Sequence, residues 1–78
     1  MHLPQLPPGT PAHIAGVDWA VLSDRDARRL RELGVDEGVA IETLYRAPLG
    51  GDPIACRIGR MTVAMRLASA EAIRVEAA

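Results

Sequence analysis

The chain has 78 residues, of which 38 are hydrophobic, but 13 of those are alanine and only two residues, Trp19 and Tyr45, are aromatic. A chain of this size buries only about 60–65% of the surface it exposes when unfolded, which leaves little room for a core and an enclosed catalytic pocket together. Nine arginines, with no lysine, oppose ten carboxylates for a net charge of −1, which disfavours a self-standing nucleic-acid binder. The lone Cys56 cannot form an internal disulfide, and no apolar run approaches the roughly 18 residues of a membrane span. Met1-His2-Leu3-Pro4 lacks the charged start and apolar stretch of a signal peptide, so the expectation is a single cytoplasmic domain without membrane insertion.

Four prolines within the first eleven residues predict an extended or turning entry, with Leu3 and Leu6 available to pin it to the body. Ala12–Val17 reads as a first strand, with Ile14 and Gly16 on one face. A helix is predicted from Asp24 to Leu33: Ser23 is its N-cap, and Asp26 gives an acidic N3 residue. Leu22 and Ala27 occupy staple positions, Ala27, Leu30 and Leu33 form a narrow apolar stripe, and Gly34 can end the helix in the left-handed conformation. Alternation then predicts strands in which Val39, Ile41, Thr43 and Tyr45 share one face, as do Ile54, Cys56 and Ile58, and Met61, Val63, Met65 and Leu67. Gly59-Arg60 fits a two-residue hairpin turn with glycine first. Ser69 is placed to cap a helical turn through Ala72, before a last strand Ile73-Arg74-Val75. About five short strands and one real helix suggest a small closed or nearly closed β-barrel, since closure removes exposed strand edges.

Sites stand out weakly. His2 and His13 are the only imidazoles and are not at metal-ligand spacing, so they offer at most an adventitious cation site. Cys56 reads as a small buried hydrophobe, not a nucleophile. Arg25, Arg28, Arg29 and Glu32 form a stripe at helical spacing, either a solvated face laced with pairs such as Asp24–Arg28 or a contact surface for an acidic partner. Ala47-Pro48-Leu49-Gly50-Gly51-Asp52-Pro53 lacks the Lys-Ser/Thr of a phosphate loop and reads as a turn with Leu49 at its tip. The residues alone thus point to a binding module with no cofactor.

Several stretches resemble the ferrous-iron transport protein A (FeoA) family: Arg29-Leu30-Arg31-Glu32-Leu33-Gly34-Val35 with Gly38, and Arg46-Ala47-Pro48-Leu49-Gly50-Gly51-Asp52-Pro53-Ile54. The likeness continues through Ile58-Gly59, Val63-Ala64-Met65-Arg66 and Glu71-Ala72-Ile73-Arg74-Val75-Glu76, and includes the Leu3–Gly9 entry. Gly50-Gly51 stands where a common form has one glycine, and Glu37 where a proline often precedes Gly38. The resemblance implies an SH3-like β-barrel with a helix inserted after the first strand and a short helical turn before the last. It also implies a non-enzymatic accessory of ferrous-iron uptake, acting by contact with the cytoplasmic, GTPase-bearing part of the FeoB transporter. The contact is then expected on the Ala47–Pro53 loop, with Pro48, Leu49, Gly50, Gly51 and Asp52, and on Arg29 or Arg46. Leu49 is the expected apolar anchor. Rival readings are an SH3-like regulatory module of the iron-dependent-repressor type and a small nucleic-acid-binding barrel. The first is disfavoured by the lack of a helix-turn-helix, the second by charge and the scarcity of aromatics. Direct handling of a transition metal is a weaker idea, and an adventitious ion would sooner glue copies into a weak self-association.

Overall fold

The computed structural model describes residues 1–48 and 50–78. The entry makes a 3-10 turn over Leu3–Gln5, closed where the His2 N–H donates to Gln5 Oε1 at 2.7 Å. Both Leu3 and Leu6 are fully buried, so the proline-rich segment is anchored by its two leucines as expected. Five strands follow: β1 (Ala12–Val17), β2 (Ala40–Arg46), β3 (Ile54–Ile58), β4 (Met61–Met65) and β5 (Ile73–Ala77). All neighbours are antiparallel, and the sheet runs β4-β3-β2-β1-β5.

The helix α1 (Asp24–Glu32) is inserted between β1 and β2 and is bounded by the signals its sequence carries. Ser23 Oγ accepts from the Asp26 N–H at 3.1 Å. At the other end Gly34 takes φ +81°. The Val35 N–H then reaches the Leu30 carbonyl at 3.0 Å, and the Gly34 N–H the Arg31 carbonyl at 3.1 Å. This is a Schellman ending, and Leu30 and Val35, its two apolar partners, are both buried in the core. Preceding the helix, a 3-10 turn over Trp19–Val21 places the Trp19 ring under the Arg31 guanidinium, 4.4 Å from its centroid.

One core gathers Ile14 from β1, Ile41 from β2, Ile54, Cys56 and Ile58 from β3, Val63 and Met65 from β4, Ile73 and Val75 from β5, and Leu30 from α1. Five strands that all turn one face to a single cluster form the SH3-like barrel, with a four-residue helix α2 (Leu67–Ala70) linking β4 to β5. The outer edge of β5 is covered by the chain's own start: the Val75 N–H donates to the Met1 carbonyl at 2.7 Å, and His2 bridges Arg74.

Several strand details differ from the alternation, beginning with Leu67, which opens α2 instead of continuing the β4 face of Val63 and Met65. A register shift between Thr43 and Tyr45 turns Tyr45 outward, where it is 65% exposed, while Thr43 stays buried. A second shift between Ile14 and Gly16 takes Gly16 out of the core and lays the Arg74 guanidinium over it, where any Cβ would collide. Ala55, expected outward, is buried beside Ile54 and Cys56. The helical turn before β5 begins three residues earlier than a Ser69 cap suggests, with Arg66 at the capping position. Its first N–H, on Leu67, is held by Asp52 Oδ1 at 3.0 Å, and Ser69 is buried within it.

Candidate docking surface

The loop Ala47–Pro53 joins β2 to β3 and is closed where the Ala47 N–H donates to the Pro53 carbonyl at 3.0 Å. Gly50 and Gly51 both take positive φ, +91° and +71°, which a side-chain-bearing residue adopts at a cost, so the double glycine matches the turn. Leu49, the expected anchor, lies outside the described residues. Pro48 and Gly50 are exposed beside it.

Two residues expected to meet a partner here are engaged inside the molecule. The Arg46 guanidinium donates to the carbonyls of Pro4 and Leu6, the latter at 3.2 Å, and its stem lies against Gly51. It fastens the entry segment to the loop. Asp52, through its bond to the Leu67 N–H, fastens the loop to the start of α2. Their charges therefore organise the loop.

Arg29 has a different setting. It lies with Arg25, one helical turn earlier, along a groove of about 400 Å³ between α1 and the β4 side of the barrel. Pro53, Ala64, Met65 and Arg66 complete the groove walls. Three arginines thus line one space, with Asp26 the one carboxylate residue lining it among the described residues. None of the three arginines has an ion pair among the described residues, and the expected Asp24–Arg28 pair does not form there either. Arg25 is legible in the sequence as the i−4 neighbour of Arg29. Arg66 is not, because only the fold sets the end of β4 beside the same groove.

The histidines go separate ways. His2 Nε2 lies 3.2 Å from Asp18 Oδ2, while Arg74 Nε donates to Asp18 Oδ1 at 3.0 Å. The His2 hydrogen bond is the largest influence holding the Asp18 carboxyl below its ordinary value, with Arg74 adding to it against partial desolvation. His13 is exposed on β1, opposite Glu76 of β5. Among the described residues no three His, Cys, Asp or Glu side chains come together as a metal cluster. Cys56 is fully buried, and desolvation pushes its thiol up to about 11, so it is protonated and inert near neutral pH. No helix among the described residues is long and apolar enough to cross a membrane.

The fold is an SH3-like barrel with an inserted helix, and the comparisons agree on that architecture. The family model for the FeoA domain matches residues 1–77, and the chain belongs to that family. It is 38% identical to iron(II) transport protein A of Clostridium thermocellum, with a TM-score of 0.86 over 99% of this chain but 45% of that one. It is 35% identical to FeoA of Chlorobium tepidum, with a TM-score of 0.85 over 99% of this chain and 70% of that one. The Stenotrophomonas maltophilia FeoA, complexed with zinc, is 34% identical, with a TM-score of 0.82 over 97% of this chain and 89% of that one. That protein is described as a unique prokaryotic SH3 domain protein and a candidate activating factor of bacterial ferrous-iron transport. The chain therefore spans less than half of the C. thermocellum relative and most of the other two. No curated protein matches the chain.

Proposed function

We propose that this chain is a non-enzymatic accessory of ferrous-iron uptake that works in the cytoplasm. It docks on the cytoplasmic, GTPase-bearing part of a FeoB-type transporter through the α1–β4 groove and the adjoining Ala47–Pro53 loop. The observation that carries the reading is the convergence of Arg25, Arg29 and Arg66 on one groove, without ion-pair partners among the described residues, in a FeoA-family domain. Guanidinium groups held on a helix and a strand end are suited to bidentate bonds with surface carboxylates. Arg46 and Asp52 support the docking face from within, since their polar atoms already bond the chain's own backbone.

Titrating the isotopically labelled chain with the transporter's cytoplasmic domain, with and without guanine nucleotide, tests this. Arg29→Glu should weaken binding at least about tenfold, or ~1.4 kcal/mol. Equal affinities for the wild type and Arg29→Glu would remove the groove from the docking face. Absence of binding by either would remove the transporter as partner.

A further inference from the structure

The strand β4 is the last in the sheet, so among the described residues one of its edges meets no other strand. The groups on that edge follow from the hairpin. With the two-residue turn Gly59-Arg60, the flanking residues Ile58 and Met61 exchange both ladder bonds. Alternation then makes Cys56–Val63 and Ile54–Met65 bonded pairs, and Arg57–Thr62 and Ala55–Ala64 non-bonded ones. The N–H and C=O groups of Thr62 and Ala64 therefore point away from β3. Among the described residues no hydrogen bond from another element reaches them. The opposite end of the sheet is treated otherwise, since Met1 and His2 cover the edge of β5.

Ala64 and Met65 also line the arginine groove, so free strand edge and unpaired guanidinium groups share one space. We propose that an extended, acidic segment of a partner protein adds along β4 as a sixth strand and sets its carboxylates against Arg25, Arg29 and Arg66. Main-chain bonds to Thr62 and Ala64 supply register, and the arginines select the sign of charge. A second copy of this chain is a poorer occupant. Its β4 carries no acid and is flanked by Arg60 and Arg66, so edge-to-edge pairing would bring arginines against arginines. This inference deepens the docking reading and rests on it for the identity of the partner, but not for the chemistry of the site.

A synthetic octapeptide of alternating Glu and Val, with its Lys–Val counterpart as control, probes the site without the transporter. The Glu peptide should slow amide exchange at Thr62 and Ala64 by at least about tenfold, and the Lys peptide should leave both unchanged. Ala64→Pro deletes one outward N–H while leaving the β3–β4 ladder bonds in place, a substitution an edge strand tolerates. It should weaken peptide binding and abolish the protection at Thr62. The paired Arg25→Ser and Arg29→Ser changes should weaken binding at least about tenfold in a protein whose strand amides stay protected. Equal binding of the Lys peptide, or no protection at Thr62 and Ala64 with millimolar Glu peptide, would overturn the proposal. So would protection that grows with protein concentration alone, which would give the edge to a second copy. If the transporter's domain binds while both amides exchange freely, strand addition fails and docking stands. If the peptide is held as predicted and the domain is not, the site stands and the transporter does not.

Discussion

Thr43 sits at the centre of β2 with no exposed surface, and its hydroxyl has no hydrogen-bond partner among the described residues. A buried hydroxyl without a partner carries its full desolvation penalty, and valine has nearly the same shape without that group. Thr43→Val should stabilise the fold by about 1 kcal/mol, raising the melting temperature by roughly 4–8 °C for a domain of this size. An unchanged or lowered midpoint would mean that the hydroxyl is satisfied in solution. Asp18 illustrates the opposite case, a charge whose bonds favour the folded state. Its carboxyl lies below the ordinary value of 3.8, chiefly through the His2 hydrogen bond and then Arg74. The unfolded chain therefore binds this proton more readily than the folded one. The stabilisation is fully present above the unfolded value and is lost as pH falls through the lower, folded value. Asp18→Asn should accordingly lower the thermal midpoint at about pH 7, and the difference from the wild type should shrink as pH falls below the ordinary carboxylate value. A difference that persists in acid would assign the effect to packing instead.

Among the elements, α1 holds its own boundaries in local chemistry. The Ser23 cap and the left-handed Gly34 are each set by residues a few positions apart and are legible in the chain, whereas the burial of Val35 beside Leu30 in the core emerges only in the fold. Ser23→Ala should cost about 1 kcal/mol in denaturant unfolding without changing the slope, because only the cap is lost. The strands were legible wherever a strict period of two persists. Tyr45 and Gly16 escape because register shifts beside them break that period, and such bulges have no local signature here. Likewise α2 begins at Leu67 because a carboxylate fifteen residues earlier receives its first N–H, a contact made only after folding. The candidate site divides along the same line. Arg29 and its neighbour Arg25 are visible as an exposed helical pair, whereas Arg66 and the free amides of β4 join them only through tertiary packing. Arg46 and Asp52 bond the chain's own backbone, a role that a charged loop residue does not announce in the sequence. Arg46→Ala should therefore loosen the entry segment, raising amide exchange at Leu6 and Gly9, while affinity for the transporter's domain changes less than with Arg29→Glu. A larger affinity loss at Arg46 would return it to the contact.

For the molecule as a whole, a net charge of −1 conceals an uneven distribution. The groove between α1 and β4 collects three arginines and one aspartate. Two of the acids, Asp18 and Asp52, are held in bonds to the chain's own groups. Such a face attracts an acidic surface over a distance set by the Debye length, about 10 Å at 0.1 M salt and about 3 Å at 1 M. Steering of this kind acts mostly on the association rate, because rim charges are felt before contact and screened by salt. Raising salt from about 0.05 M to about 0.5 M should thus weaken binding to the transporter's cytoplasmic domain several-fold, mainly by slowing association. Dissociation should change less, because main-chain bonds along β4 are insensitive to ionic strength. Stopped-flow association with the wild type and with the paired Arg25→Ser and Arg29→Ser protein separates the two contributions. The variant should associate at nearly the same rate at both salt concentrations. A salt slope unchanged by removing these arginines would place the attraction elsewhere on the surface, even if the barrel and its groove are as described.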